Sequence, residues 1–151
     1  MLMNAQIRRL ENTLTTIGTG IIAMSVWQFI KNILQYTLLR SNDEDEISLA
    51  KILFMIGVLI IFSLIDCYIG FSARSEGKGK KKKGIYLFWT ALYLIVSFIA
   101  ITLELRLVFI DPDYTVYYFI VVIIDITVLV LNIEMMVSAI KVRRLRKLNT
   151  L

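Results

Sequence analysis

The chain contains no histidine and a single cysteine, Cys67. Without histidine it lacks the commonest general base and an imidazole metal ligand. One thiol closes no intrachain disulfide, and with no imidazole beside it makes no structural zinc site, iron–sulfur cluster or thiol-redox pair. No cofactor, no metal site and no catalytic activity are therefore expected. Proline is almost missing as well, and Pro112 is its only instance. Charge is scarce, at 19% of residues, against 58% hydrophobic residues and a mean hydropathy of +0.73. A soluble domain of 151 residues cannot hide that much apolar surface, so lipid is expected to cover part of it. The opening stretch "MLMNAQIRRLENTL" is polar. It carries no apolar core before a small-residue cleavage site, so no cleavable leader is expected.

What the chain does have is four long apolar runs, at about 13–39, 47–71, 85–110 and 115–140. Each exceeds the roughly 20 residues that carry a helix across the hydrocarbon core. None is interrupted by proline, because Pro112 falls in "DPDY", a tight-turn sequence between the third and fourth runs. Short connectors make sequential helices antiparallel neighbours. The expected fold is thus an all-α, four-transmembrane-helix bundle, up-down-up-down, forming one domain over 1–151.

Charge placement orients it. The 41–46 connector, "SNDEDE", has four acids and no base, and "DPDY" has no base. The basic residues gather in Arg8 and Arg9, in the 72–84 loop with Arg74, Lys78 and Lys80 to Lys83, and in the 141–151 tail. Only Lys31, Arg40, Lys51 and Arg106 stand elsewhere. The positive-inside rule then puts both termini and the lysine loop in the cytoplasm. The Ile- and Lys-rich, Pro-poor composition points to a bacterial cytoplasmic membrane. The two halves share no motif, so an inverted-repeat transporter is not indicated.

Polar residues inside the runs recur at helical spacing. In the first run Ser25, Gln28, Asn32 and Gln35 share a face bordered by Lys31; in the second, Lys51, Met55, Leu59, Ser63 and Asp66 form a stripe. Thr90, Ser97 and Glu104 recur every seven residues in the third, and Asp125 and Asn132 are seven apart in the fourth. Glu134 is nine past Asp125, about half a turn round at ~100° per residue. Lipid offers these groups no hydrogen bond, so they should face the bundle interior or a partner.

Depth nominates partners. Asp125 and Gln28 lie near the midplane, with Lys31 about one turn further out. Lys51, Glu104 and Arg106 lie in the outer third, while Asp66 and Glu134 lie near the cytoplasmic face. The expected ion pairs are Lys31 with Asp125 and Lys51 with Glu104, with Gln28 and Asn32 adding hydrogen bonds. Asp66 and Glu134 are read as an inner pair of carboxylates. Lys80, Lys81, Lys82, Lys83, Arg143 and Arg144 are read as contacts to anionic lipid headgroups. Because "KGKKKK" has no interleaved aromatics, nucleic-acid binding is not expected. Gly18 and Gly20 would let a neighbouring helix come close. Tyr86, Trp89 and Tyr36 read as interfacial aromatics.

Small multidrug transporters share the four-helix outline but carry a carboxylate in the first span, where this chain has Lys31 and no acid after Glu11. Architecture alone does not establish function. The expectation is a non-catalytic membrane protein acting by helix association, as a homo-oligomer or as an accessory subunit beside another membrane protein. The alternative is a small ion channel or proton-coupled transporter using Asp125 with Asp66 and Glu134.

Overall fold

The computed structural model describes residues 2–40, 49–80, 83–110 and 115–148; of these, the side chains at 2–3, 35–40, 49–51, 55, 107–108 and 115–118 lie outside the described set. The described chain is all-helical: α1 (Leu2–Arg40), α2 (Leu49–Gly77), α3 (Ile85–Ile110) and α4 (Thr115–Leu148). Each helix is long and apolar enough to cross a membrane, which fits a small membrane protein. The outward-facing apolar residues agree with that: Phe54, Phe88, Phe98 and Phe109 are all exposed, a surface that lipid covers and water does not. Several Thr hydroxyls within the helices are satisfied on the preceding turn. Thr15 donates to the Glu11 carbonyl, Thr90 to that of Tyr86 and Thr127 to that of Ile123.

Three helices run further than hydropathy alone indicates. α1 starts at Leu2, α2 continues through Gly77 into the segment read as loop, and α4 extends to Leu148 through the basic tail. Lys, Arg and Leu are strong helix formers, and no Gly or Pro interrupts residues 141–148. The stop of α2 is Gly79, whose φ of +84° is the left-handed conformation glycine adopts freely. Gly79 N–H bonds the Glu76 carbonyl and Lys80 N–H bonds that of Ser75, the paired bonds of a Schellman ending.

The helices meet around a core of Leu14, Ile17 and Ile21 from α1, Ile69 and Ala73 from α2, Tyr86 and Tyr93 from α3, and Val128, Met135 and Ala139 from α4. The α1–α2 seam depends on three glycines. A Cβ on Gly18 would stand 2.6 Å from Arg74 N and 2.8 Å from Gly70 O; one on Gly70 would stand 2.9 Å from Gly18 O. One on Gly77 would stand 2.6 Å from Glu11 O. Gly20 takes no part in this approach, since nothing lies within 4 Å of a Cβ built there.

At one end a polar cluster ties all four helices. Glu76, 1% exposed, accepts two 2.7 Å bonds from the Arg143 guanidinium and a 2.6 Å bond from the Tyr86 hydroxyl. Arg143 also lies over the Tyr86 ring, 5.4 Å from its centroid. Arg146 joins the Glu11 carboxylate at 2.6 Å and the Glu76 carbonyl at 2.9 Å. Glu11 lies on α1, Glu76 on α2, Tyr86 on α3, and both arginines on α4. A bidentate arginine on a buried carboxylate is the strong form of such a pair.

Candidate functional site

The polar stripes of the helices converge on one interior cavity of about 170 Å³. α1 lines it with Ser25, Gln28, Lys31 and Asn32, and α2 with Leu59, Ser63 and Asp66. α3 adds Tyr93, Ser97 and Glu104, and α4 adds Asp125. The volume is room for several water molecules. Helical spacing explains the convergence, since each set lies on a single helix face.

Lys31 and Asp125 make the centre of this site. Lys31 Nζ donates to Asp125 Oδ1 at 2.8 Å and to Oδ2 at 2.6 Å, both groups buried. Gln28, one turn earlier on α1, donates its Nε2 to Asp125 Oδ1 at 3.0 Å. Its Oε1 in turn accepts from the Tyr93 hydroxyl at 2.7 Å. Glu104 approaches from α3, its Oε1 at 3.9 Å from Lys31 Nζ. A continuous polar chain therefore links Tyr93, Gln28, Asp125, Lys31 and Glu104.

Charge in the cavity does not balance. One ammonium, Lys31, faces three carboxylates: Asp66, Glu104 and Asp125. Asp66 is 3% exposed and its Oδ1 has no hydrogen-bond partner; Glu104 Oε2 is likewise buried and unpartnered. The Tyr93 hydroxyl also lies against Asp66. Its one proton has two acceptors in reach, Gln28 Oε1 and the Asp66 carboxylate. One proton cannot satisfy both at once, so the acceptor it leaves needs another donor or a cation.

Several sequence expectations are corrected here. Asp66 and Glu134, grouped by depth, are not neighbours. Asp66 belongs to the central cavity, whereas Glu134 is exposed beside Arg9 and Asn12 on the outside of the bundle. Helical depth places residues along the membrane normal but says nothing of azimuth. The partner of Glu104 among the described residues is Lys31, and the Lys51 side chain lies outside them. Arg106 is exposed on α3 and does not line the cavity. Arg143 is not simply a headgroup contact, because its guanidinium is engaged by Glu76. Tyr86 is fully buried in that cluster rather than interfacial. Lys80, Lys83 and Arg144 are exposed, and Lys81 and Lys82 lie outside the described residues. Asn132 is buried on α4, bonded to the Val128 carbonyl through Nδ2, with Oδ1 unpartnered.

Sequence reasoning missed Tyr93, Glu76 and Glu11. Tyr93 recurs with Ser97 at i and i+4, a spacing that does place it on the Ser97–Glu104 face. Glu76 and Glu11 stand among basic and polar flanking residues, where nothing in the sequence separates a buried carboxylate from a solvated one. Comparison with protein-family models, with curated proteins and with solved structures returned no match. Among the described residues no group of three or more His, Cys, Asp or Glu is disposed to hold a metal ion.

Proposed function

We propose that this protein is a non-catalytic integral membrane protein that admits a small monovalent cation, the proton included, to a polar cavity within the bilayer. In this reading the bundle runs up-down-up-down with both termini in the cytoplasm, as the distribution of Lys and Arg favours. A bacterial cytoplasmic membrane is the matching location. The observation that carries the reading is Asp66, a carboxylate buried in the cavity with an unpartnered oxygen and only the Tyr93 proton, shared with Gln28, in reach. A polar group left unpaired in a protein interior costs about 1–3 kcal/mol, more when charged. Ionisable groups within a span mark ion and proton paths. An exchanging cation or proton answers both Asp66 and Glu104, while Lys31 and Asp125 hold the cavity open between α1 and α4.

The test is flux in liposomes. Purified protein should dissipate an imposed proton or monovalent-cation gradient, and Asp66→Asn should abolish that flux while keeping the wild-type helix content and melting temperature. Leak no faster than that of empty liposomes for every such ion would overturn the reading.

A second reading, association with another copy or with a different membrane protein, is favoured by one observation. Phe62 on α2 and Val96 on α3 line the cavity and are also 39% and 40% exposed, so the cavity reaches the side of the bundle. A second protein seated there would close it. Cysteines introduced at Phe62 and Val96 should then crosslink between chains in native membranes, and their remaining monomeric under oxidation argues against association at that face.

A further inference from the structure

A second site lies further along the α1–α4 seam, where the start of α1 meets the end of α4. Here Arg9 of α1 and Lys141 and Arg144 of α4 surround a groove of about 610 Å³ whose remaining wall is Gln6, Leu10, Leu145 and Leu148. None of the three cations makes an ion pair among the described residues. No carboxylate lines the groove. The neighbouring cationic positions are different: Arg143 and Arg146 are tied to Glu76 and Glu11. On α4 the groove residues are spaced three, one and three apart and so share one helix face. Arg9 also lines an adjoining cavity, in which Asn12, Thr13 and Thr16 supply amide and hydroxyl groups and Glu134 supplies the only acid.

We infer that this groove binds an anionic glycerophospholipid. The three basic side chains hold its phosphate, the Asn12 and Thr13 level meets its glycerol and ester oxygens, and its chains run on into the bilayer along Val137 and Ile140, exposed on the same side of α4 one turn before Lys141 and Arg144. Charge complementarity selects an anion, because three cations converge with no acid among them. The exposed apolar residues that continue this face on the bilayer side, Val137 and Ile140, select a lipid over a soluble phosphate. Position agrees as well, since α4 turns basic at Lys141 directly after its apolar run ends at Ile140, the level at which headgroups meet a transmembrane helix. The inference rests on the bundle sitting in a bilayer, but not on the cation chemistry of the central cavity, and its test measures no flux.

The full chain in a neutral maltoside detergent is titrated with dioleoylphosphatidylglycerol or dioleoylphosphatidylcholine, and bound lipid per chain is read by native mass spectrometry. One phosphatidylglycerol should be retained under activation that strips phosphatidylcholine. The triple variant Arg9→Gln, Lys141→Gln, Arg144→Gln should lower that occupancy at least tenfold, and Lys141→Gln alone by a smaller factor. The three positions are exposed, so melting temperature should stay at the wild-type value. A control removing three charges off the groove, Lys78→Gln, Lys80→Gln, Lys83→Gln, should retain the lipid. Equal retention of both lipids by the wild type overturns the site. So does an equal loss in the control, which makes the attraction diffuse. Displacement of the lipid by equimolar inorganic phosphate would overturn it in favour of a soluble anion.

Discussion

Lys31 is the residue on which the electrostatics of the bundle centre depend. It contacts Asp125 through both carboxylate oxygens and stands 3.9 Å from Glu104, so its removal strands two buried carboxylates. Removing one partner of a buried pair costs on the order of 3–5 kcal/mol. Lys31→Gln should therefore lower thermal stability in detergent by that order, and by more than Asp125→Asn, which leaves Lys31 with Glu104. Combining Lys31→Gln with Asp125→Asn should cost less than the sum of the single losses; additive losses in that double-mutant cycle would dissociate the two groups energetically. Depth and helix face were enough to bring Lys31, Gln28 and Asp125 to one level from sequence. Glu104 at their side was not legible, because spacing along α3 fixes its face without fixing how that face turns toward α1. Asp66 shows the same gap: its depth matched Glu134, while its azimuth belongs to another part of the molecule.

Among the elements, the α1–α2 pair depends on residues whose only property is the absence of a side chain. Gly18→Ala and Gly70→Ala place a Cβ under 3 Å from backbone atoms of the facing helix. The helices must then move apart. Either change should lower the melting temperature and shift Ser25 away from Cys67, now 3.1 Å apart between Oγ and Sγ. Gly20→Ala and Gly57→Ala meet nothing within 4 Å and should leave stability unchanged or raise it by up to about 1 kcal/mol through helix propensity. A melting series across the four variants checks the contrast. The existence and type of all four helices were legible, since long apolar runs permit little else in lipid. Their ends were not. Hydropathy falls at Lys, Arg and Ser, whereas the helix continues until a residue such as Gly79 breaks it. The value of each glycine was equally hidden, because Gly18 and Gly20 look alike in sequence and only one meets a neighbour.

For the whole molecule, the Glu76 cluster and the central cavity stand at different heights of one bundle. Glu76 gathers Tyr86, Arg143 and, through its carbonyl, Arg146. Glu76→Ala should be among the most damaging single changes, of order 3–5 kcal/mol, because it leaves Arg143 and Tyr86 without their buried partner; chemical denaturation in detergent would show it, and a wild-type midpoint would remove the cluster from the account of stability. On the proposed topology, single cysteines at Asn4 and Lys83 should react with a membrane-impermeant maleimide only after the cytoplasmic side is opened. Labelling of either in sealed right-side-out vesicles reverses the orientation.

The Glu76 cluster has a mechanical consequence. It fixes α3 at Tyr86, which makes that position a fulcrum. Glu104 lies 18 residues along the same helix, a lever arm of roughly 27 Å at 1.5 Å per residue. A tilt of about 5° about the fulcrum therefore carries Glu104 through about 2 Å, while Tyr86 barely moves. The contact at the tip of the arm, between Glu104 and Lys31 at 3.9 Å, is displaced further by such a tilt than the Tyr93–Gln28 bond nearer the fulcrum. The Asp125 contact to Lys31 lies between α1 and α4, so the tilt reaches it only through Glu104, which lies against Asp125 as well.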